Sequence, residues 1–295
     1  MNFSTISSAK TESKTTIAKC KSCFIFILLF LAIFFNFGCN KKNSNKTSKV
    51  QEKKAVKICS LSSSATAILL KLNHKIEAID YFGQTVIKDP TLTVPIIGKG
   101  TLISFEKLVQ LQITHVILWD YQKSIIPKLK EMNIEPIILP TFRLNDYPKI
   151  VNQLGLLIKK EEEATKLIKK FNQDIVNLKP ILNKNNQTKV YFELYGENII
   201  AGNNSYIGDL LKIANATSIS NKTGIVSKEY VITQKPEVIF YIEGVTTASN
   251  ITSRPGFTNL PAVKNKQIYP VKRDFIIEGA YPVEALNYLV SKLRK

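Results

Sequence analysis

The chain has 295 residues, of which 44% are hydrophobic and 22% charged. Those proportions fit one or two ordinary globular domains and exclude a disordered or fibrous chain. The formal net charge is +18, but ten of the 41 Lys/Arg residues and only two of the 23 acids precede residue 55, so the remainder carries +10. That excess favours anionic ligands or an anionic membrane surface. It forms no basic block with interleaved aromatics, which argues against nucleic acid as a partner.

Lys10, Lys14, Lys19 and Lys21 precede an unbroken apolar run from Phe24 to Phe35. A basic stretch followed by ~7–15 apolar residues is a secretory signal, and the run is short for a membrane span, which needs ~20 residues. Gly38-Cys39 follows it and resembles a bacterial lipobox, although Asn36 stands where Leu is usual. Residues 1–38 are therefore expected to be a lipoprotein signal peptide, with Cys39 the lipidated first residue of the mature chain. The Cys20-x-x-Cys23 pair would leave with the leader. Residues 40–54 are rich in Asn, Lys and Ser, cannot bury enough surface to order themselves, and are expected to form a flexible tether. The expected location is a cell membrane, held through the lipid, facing the periplasm or the cell exterior.

The folded part opens with a strand at Ala55–Leu61, and Ser62-Ser63-Ser64 then cap a helix with an apolar face at Ala67, Ile68, Leu70 and Leu72. Cys59, on the strand, is expected to be a buried core thiol. A strand follows at Ile76–Tyr81, then a turn at Gly98-Lys99-Gly100 and a helix opened by Ser104-Phe105-Glu106. His115–Trp119 is a continuous apolar strand, as expected when both faces are covered. A helix at Ser124–Met132 and a strand at Glu135–Leu139 complete a lobe over residues 55–145. From Asp146 the apolar spacing becomes helical. Gly155 and the Lys159–Glu163 charge run are expected to separate a short helix from a longer one, Glu161 to Lys179, about 30 Å long at 1.5 Å per residue. Pro180 ends it, and residues 146–187 form the link. Residues 188–295 repeat the first grammar: a strand at Lys189–Leu194, helices at Tyr206–Ile213 and from Ser227, and a strand at Glu237–Ile242.

Some of the repetition is in register. Ser104 and Ser227, Glu106 and Glu229, Val116 and Ile239, and Asp120 and Glu243 all share an offset of 123 residues. The helix echo between Leu69-Leu70-Lys71 and Leu210-Leu211-Lys212 has an offset of 141, so loop lengths differ. Strands alternating with helices predict an α/β fold: two Rossmann-like lobes with parallel sheets joined by one long backbone helix.

This layout resembles the periplasmic substrate-binding proteins of iron-siderophore, haem and cobalamin ABC importers, the class with a helical backbone between lobes. Val56–Thr66 looks like the family's opening strand and helix. Ile103–Trp119 looks like its helix-then-strand unit, Arg254–Val271 like its late segment, and Pro282–Leu289 like its closing helix. The resemblance implies a monomeric receptor, not an enzyme, that captures one small molecule and delivers it to an ABC permease. It also implies that Glu106 and Glu229, one acid at a helix start on each lobe, dock on arginines of that permease.

Ligands of open parallel sheets bind beyond the carboxyl ends of the strands. Candidates there are Lys99, Trp119, Tyr121 and Arg143 in the first lobe and Tyr195, Glu243, Arg254 and Arg273 in the second. Trp119, the sole tryptophan, could stack on a flat ligand or serve as a packed rim residue. The three arginines suit delocalised oxygen anions, which favours a ferric siderophore as cargo; cobalamin and haem are the alternatives within the class. Lys99 stands near a position where haem receptors of the class often carry Tyr, which weakens direct haem-iron ligation there. A resident metal or cofactor is not expected, because two histidines fall short of a protein-only transition-metal site. No G-x-S-x-G, P-loop or complete G-x-G-x-x-G occurs. The remaining rival is a surface adhesin or interaction protein on the same fold.

Overall fold

The computed structural model describes residues 55–178 and 187–293. The leader, Cys20, Cys23, Cys39, the tether and the Lys179-Pro180 helix end lie outside the described residues.

The first lobe runs β1 (Ile58–Ser60), α1 (Ser63–Lys71), β2 (Ala78–Ile79), the antiparallel ribbon β3 (Gly98–Lys99) and β4 (Leu102–Ile103), α2 (Phe105–Gln110), β5 (His115–Trp119), α3 (Ile126–Glu131) and β6 (Glu135–Leu139). Its sheet is parallel throughout, in the order β2-β1-β5-β6. Serines start the helices because a hydroxyl at the N-cap takes one of the unpaired amides of the first turn. Ser62 accepts from Ala65 N–H at 3.2 Å and Ser104 from Lys107 N–H at 3.2 Å. Several elements are shorter than their apolar runs. The helix expected from Ser124 starts at Ile126, after a 3-10 turn over Asp120–Ile125, with Pro127 in its first turn. Cys59 is fully buried in β1, unpaired, and burial pushes its thiol up.

The link is two helices, α4 (Tyr147–Leu157) and α5 (Glu161–Leu178). The break falls at Lys159, whose φ of 56° is left-handed. Gly155 does not mark the break as expected; it lies inside α4. Its role is close approach, since a Cβ there would sit 2.5 Å from Cβ of Ala164 in α5. Glu161, Glu162 and Glu163 occupy the first turn of α5, where the helix dipole favours acids. Lys160 Nζ donates to the carbonyls of Leu72 and Asn73 at 3.0 and 2.7 Å, tying the α4–α5 corner to the end of α1.

The second lobe runs β7 (Thr188–Glu193), β8 (Ile199–Ile200), α6 (Tyr206–Ile213), β9 (Ala216–Ser218), β10 (Gly224–Ile225), α7 (Lys228–Gln234), β11 (Val238–Ile242), α8 (Ala248–Thr252), α9 (Pro261–Lys264), β12 (Ile268–Val271) and α10 (Pro282–Leu293). β9, β7, β11 and β12 pair in parallel, but β8 and β10 are antiparallel additions at one edge. The second lobe thus keeps the expected parallel sheet and adds an antiparallel edge to it. The 194–198 loop is too short for a crossover, which takes a dozen residues or more, so the chain can only turn back on itself. β5 and β11 hold the same central place in their sheets, in agreement with the offset of 123 residues between Val116 and Ile239.

One buried apolar cluster joins both lobes. It contains Ile58, Ile117 and Leu139 of the first sheet, Val190, Phe192 and Phe240 of the second, Val151 and Phe171 of α4 and α5, and Leu286 of α10. The segment before α10 also returns to the first lobe, where the Tyr281 hydroxyl donates to Val86 O at 2.5 Å.

The α4–α5 contact makes a test. Gly155→Val should lower the unfolding free energy by ~1–3 kcal/mol through overpacking, measured by urea denaturation. The exchange Gly155→Ala with Ala164→Gly should recover most of the loss; no recovery would mean that the close approach is not what the glycine serves.

Candidate ligand-binding cleft

A cleft of about 390 Å³ opens between the lobes, lined by Leu61, Ser63, Asp80, Phe82, Thr85, Trp119, Tyr121, Thr141, Tyr195, Arg273, Ile277 and Glu278. Its first-lobe wall comes from the residues that follow β1, β2, β5 and β6, and its second-lobe wall from those that follow β7 and β12. All parallel strands of a sheet end on one edge, so the side chains just past them converge.

Several local devices hold that wall. Ser60, Ser62 and Thr66 are buried and bonded to one another, Thr66 Oγ1 donating to Ser60 Oγ at 2.9 Å, which fixes the turn that carries Ser63. Gln122 is fully buried. Its Oε1 accepts from Trp119 N–H at 2.8 Å and its Nε2 donates to Gly100 O at 3.1 Å, locking the turn between Trp119 and Tyr121. Trp119 stacks on buried Phe142 at 6.5 Å and 26° while also lining the cleft, so it packs and faces the cleft at once. Tyr121 and Tyr195 are 69% and 57% exposed, free to cover a ligand. The Arg273 guanidinium lies 5.8 Å from the Tyr195 ring centroid, within cation–π reach.

Of the residues expected from sequence, Trp119, Tyr121, Tyr195 and Arg273 share the cleft, and the others do not. Lys99 is exposed at the rim, its Nζ 5.3 and 5.4 Å from the Tyr81 and Phe82 rings. Glu243 is exposed outside the wall. Arg143 is engaged across the lobes: Nε donates to Asp209 Oδ2 at 2.7 Å, Nη2 to Oδ1, and Nη1 to Asn204 Oδ1 at 3.0 Å. Arg254 is 8% exposed and forms a bidentate pair with Glu193 at 2.5 and 2.8 Å, which also accepts from the Tyr191 hydroxyl. That pair borders a polar hollow of about 560 Å³ that adjoins the cleft at Tyr195. Both guanidiniums are thus already paired with carboxylates of the chain, Arg254 in a buried pair and Arg143 in a partly exposed one.

Sequence reasoning missed Asp80 and Glu278. Asp80 was absorbed into an apolar strand that in fact ends at Ile79. It is 1% exposed and accepts from Gly83 N–H at 2.9 Å. Burial pushes its carboxyl from 3.8 to about 6, against opposing backbone hydrogen bonds. Burial also raises the carboxyl of Glu278, which lies several residues past the end of β12 at Val271, beyond the strand-end positions that point to a cleft. Among the described residues no group of three or more His, Cys, Asp or Glu side chains is placed to hold a metal ion, and no helix is long and apolar enough to cross a membrane.

The sequence profile of the periplasmic binding protein family matches residues 58–274. The chain belongs to that family. It is a substrate-binding protein of the ABC-importer class and not an enzyme. No match was found among curated proteins. Similar solved structures include the periplasmic heme-binding protein RhuT from Roseiflexus, with a TM-score of 0.71 and 18% identity over 81% of this chain and 98% of that one. A second is a possible iron-binding (periplasmic solute-binding) protein from Staphylococcus epidermidis, with a TM-score of 0.69 and 22% identity over 82% and 100%. A third is the periplasmic vitamin B12 binding protein BtuF of Vibrio cholerae, with a TM-score of 0.66 and 19% identity over 81% and 97%.

In this member of the family, Glu106 and Glu229 occupy equivalent places. Each is exposed in the first turn of a helix capped by serine, α2 by Ser104 and α7 by Ser227, and each helix leads into the central strand of its sheet. Hydrogen bonds from its own N–H and from the Ser227 hydroxyl hold the Glu229 carboxyl below its ordinary value.

Asp80 gives a pH test. Its folded value lies above its unfolded one, so its contribution to stability is full below about pH 4 and is lost as pH rises through about 6. Asp80→Asn, close in shape to the protonated acid, should match the parent near pH 4 and exceed it at pH 7 by on the order of 2–3 kcal/mol in urea unfolding. A constant difference across that range would mean that Asp80 does not titrate there.

Proposed function

We propose that the protein is the lipid-anchored receptor of an ABC importer and captures an iron complex of ferric-siderophore type, as a neutral or cationic chelate rather than a polyanionic one. The supporting observation is the composition of the cleft wall: the rings of Phe82, Trp119, Tyr121 and Tyr195, two buried or partly buried acids, Asp80 and Glu278, and one guanidinium, Arg273. Three converging arginines would have suited a highly charged anion, but the pairing of Arg143 and Arg254 with acids of the chain leaves one. Aromatic rings cover apolar chelate surface, and carboxylates receive its N–H or O–H donors or a positive charge. Among the structural relatives one is described as possibly iron-binding, and others bind heme and vitamin B12.

Heme is the second reading. It is favoured by the Tyr195 phenol beside Arg273, a donor for iron next to a cation for a carboxylate. Cobalamin would rely on Trp119.

On this proposal Cys39 carries the lipid at the cell surface or in the periplasm, the tether gives reach, and the cleft closes on one chelate with little lobe movement. Glu106 and Glu229 then set the loaded receptor on cations of the permease, where complementary charge speeds encounter and fixes orientation.

Two experiments bear on this. Titration of the sole indole, Trp119, with ferric hydroxamates, ferric catecholates, heme and cobalamin should show saturable quenching by an uncharged or cationic hydroxamate chelate, weakening as pH falls below about 6 with protonation of Asp80. Tightest binding of a polyanionic catecholate would overturn the charge argument, and tightest binding of heme would select the second reading. Reversing both acids, Glu106→Lys with Glu229→Lys, should abolish cellular uptake while cargo affinity stays within about twofold, since rim charges act on encounter rather than on the cleft. Loss of cargo binding instead would remove those acids from docking.

A further inference from the structure

The 123-residue repeat extends to a pair of side chains that the cleft does not use. Leu102-Ile103-Ser104-Phe105-Glu106 and Ile225-Val226-Ser227-Lys228-Glu229 are the same pentad at that offset: aliphatic, aliphatic, capping serine, any residue, acid. In both, the second aliphatic packs against the buried cluster of its own lobe. Successive side chains of an extended segment point to opposite sides, so the first aliphatic is turned outward. Leu102 is 83% and Ile225 82% exposed, and among the described residues no other large apolar side chain exceeds 69%. Both stand on edge strands, Leu102 on the β3–β4 ribbon and Ile225 on β10, the outermost strand of its sheet. Two unrelated surface accidents would not fall at one offset, in one local fold, beside one acid.

We propose that Leu102 and Ile225 are matched apolar plugs that seat in two equivalent hollows of a protein partner built from two copies of one subunit, each hollow flanked by a cation that meets Glu106 or Glu229. The proposal deepens the docking role given above and rests on it. A repeated surface on a single chain fits a partner that repeats the same surface, and the acid beside each plug selects a cationic one. An anionic bilayer fits worse, because the exposed carboxylates are repelled by it. The neighbouring lysines are turned to their own chain: Lys228 pairs with Glu197 at 3.1 Å and Lys107 reaches Ile96 O at 3.4 Å.

The test uses the full-length chain in its own cells. A benzophenone amino acid replaces Leu102 in one strain, Ile225 in a second and exposed Val176 in a third, and the products of irradiation are identified by mass spectrometry. Positions 102 and 225 should each capture the same integral membrane subunit, and position 176 should not. Different polypeptides at the two positions, lipid adducts, adducts of this chain with itself, or no adduct would each overturn the proposal. In parallel, Leu102→Ser and Ile225→Ser should each reduce uptake of iron-55 ferric hydroxamate roughly tenfold, the scale of one buried aliphatic side chain, with Trp119 titrations unchanged. Normal uptake in the double variant would also overturn it. Crosslinking needs no cargo, so a wrong cargo assignment leaves this result readable. Persistent crosslinks after charge reversal of Glu106 and Glu229 would retire the acids and leave the plugs standing.

Discussion

The lobes share a core, and the rest of the molecule follows from that. Residues of both sheets, the two linking helices and the closing helix belong to one buried apolar cluster. Its removal from water is the main force holding each lobe, and because the cluster is continuous the same force holds the lobes to each other. Close-packed interiors deform little. Sliding one lobe would open gaps beside Phe171, Val151 and Leu286, and it would also break the Arg143–Asp209 fork, which spans the lobes, and the Lys160 bonds at the α4–α5 corner. The cleft is therefore largely formed before cargo arrives, and little binding energy is diverted into rearranging it.

Preformation explains why a group as unfavourable as Asp80 can be kept. A buried carboxyl that ionises near neutral pH costs stability there. The Gly83 amide and the buried seating hold its oxygens at the cleft wall. The arginines show the opposite case. Arg254 and Arg143 answer acids of the chain, so their charge is spent on holding Glu193 and Asp209, and the cleft inherits their architecture without their charge.

This contrast marks where the sequence was legible. The continuous strand His115–Trp119, the helix Tyr206–Ile213 and the serine caps at Ser62, Ser104 and Ser227 were readable because each is decided by neighbours within a turn or two. The rule that ligands meet strand ends singled out Trp119, Tyr121, Tyr195 and Arg273, and these four line the cleft. It could not tell which guanidinium would already be occupied, because Glu193 lies 61 residues from Arg254 and Asp209 lies 66 from Arg143. Nor could it mark Asp80, whose neighbours Ile79 and Tyr81 extend the apolar run past the point where pairing stops. The antiparallel β8 and β10 were missed for the same reason: two-residue strands carry no periodicity, and a partner across the sheet creates them.

The two halves diverge in an informative way. Their strand ends are unlike: serine, acid and indole on one side, a phenol and a guanidinium on the other. Their Leu102–Glu106 and Ile225–Glu229 pentads are alike down to the exposure of one aliphatic side chain. A cargo molecule without symmetry asks different things of the two walls, and two copies of a folding unit can satisfy it only by becoming different there. A partner with two equivalent sites asks the same thing twice, and the copies satisfy it only by staying the same. On the docking proposal, the surface where the lobes still match faces a repeated object, and the surface where they differ faces a single one.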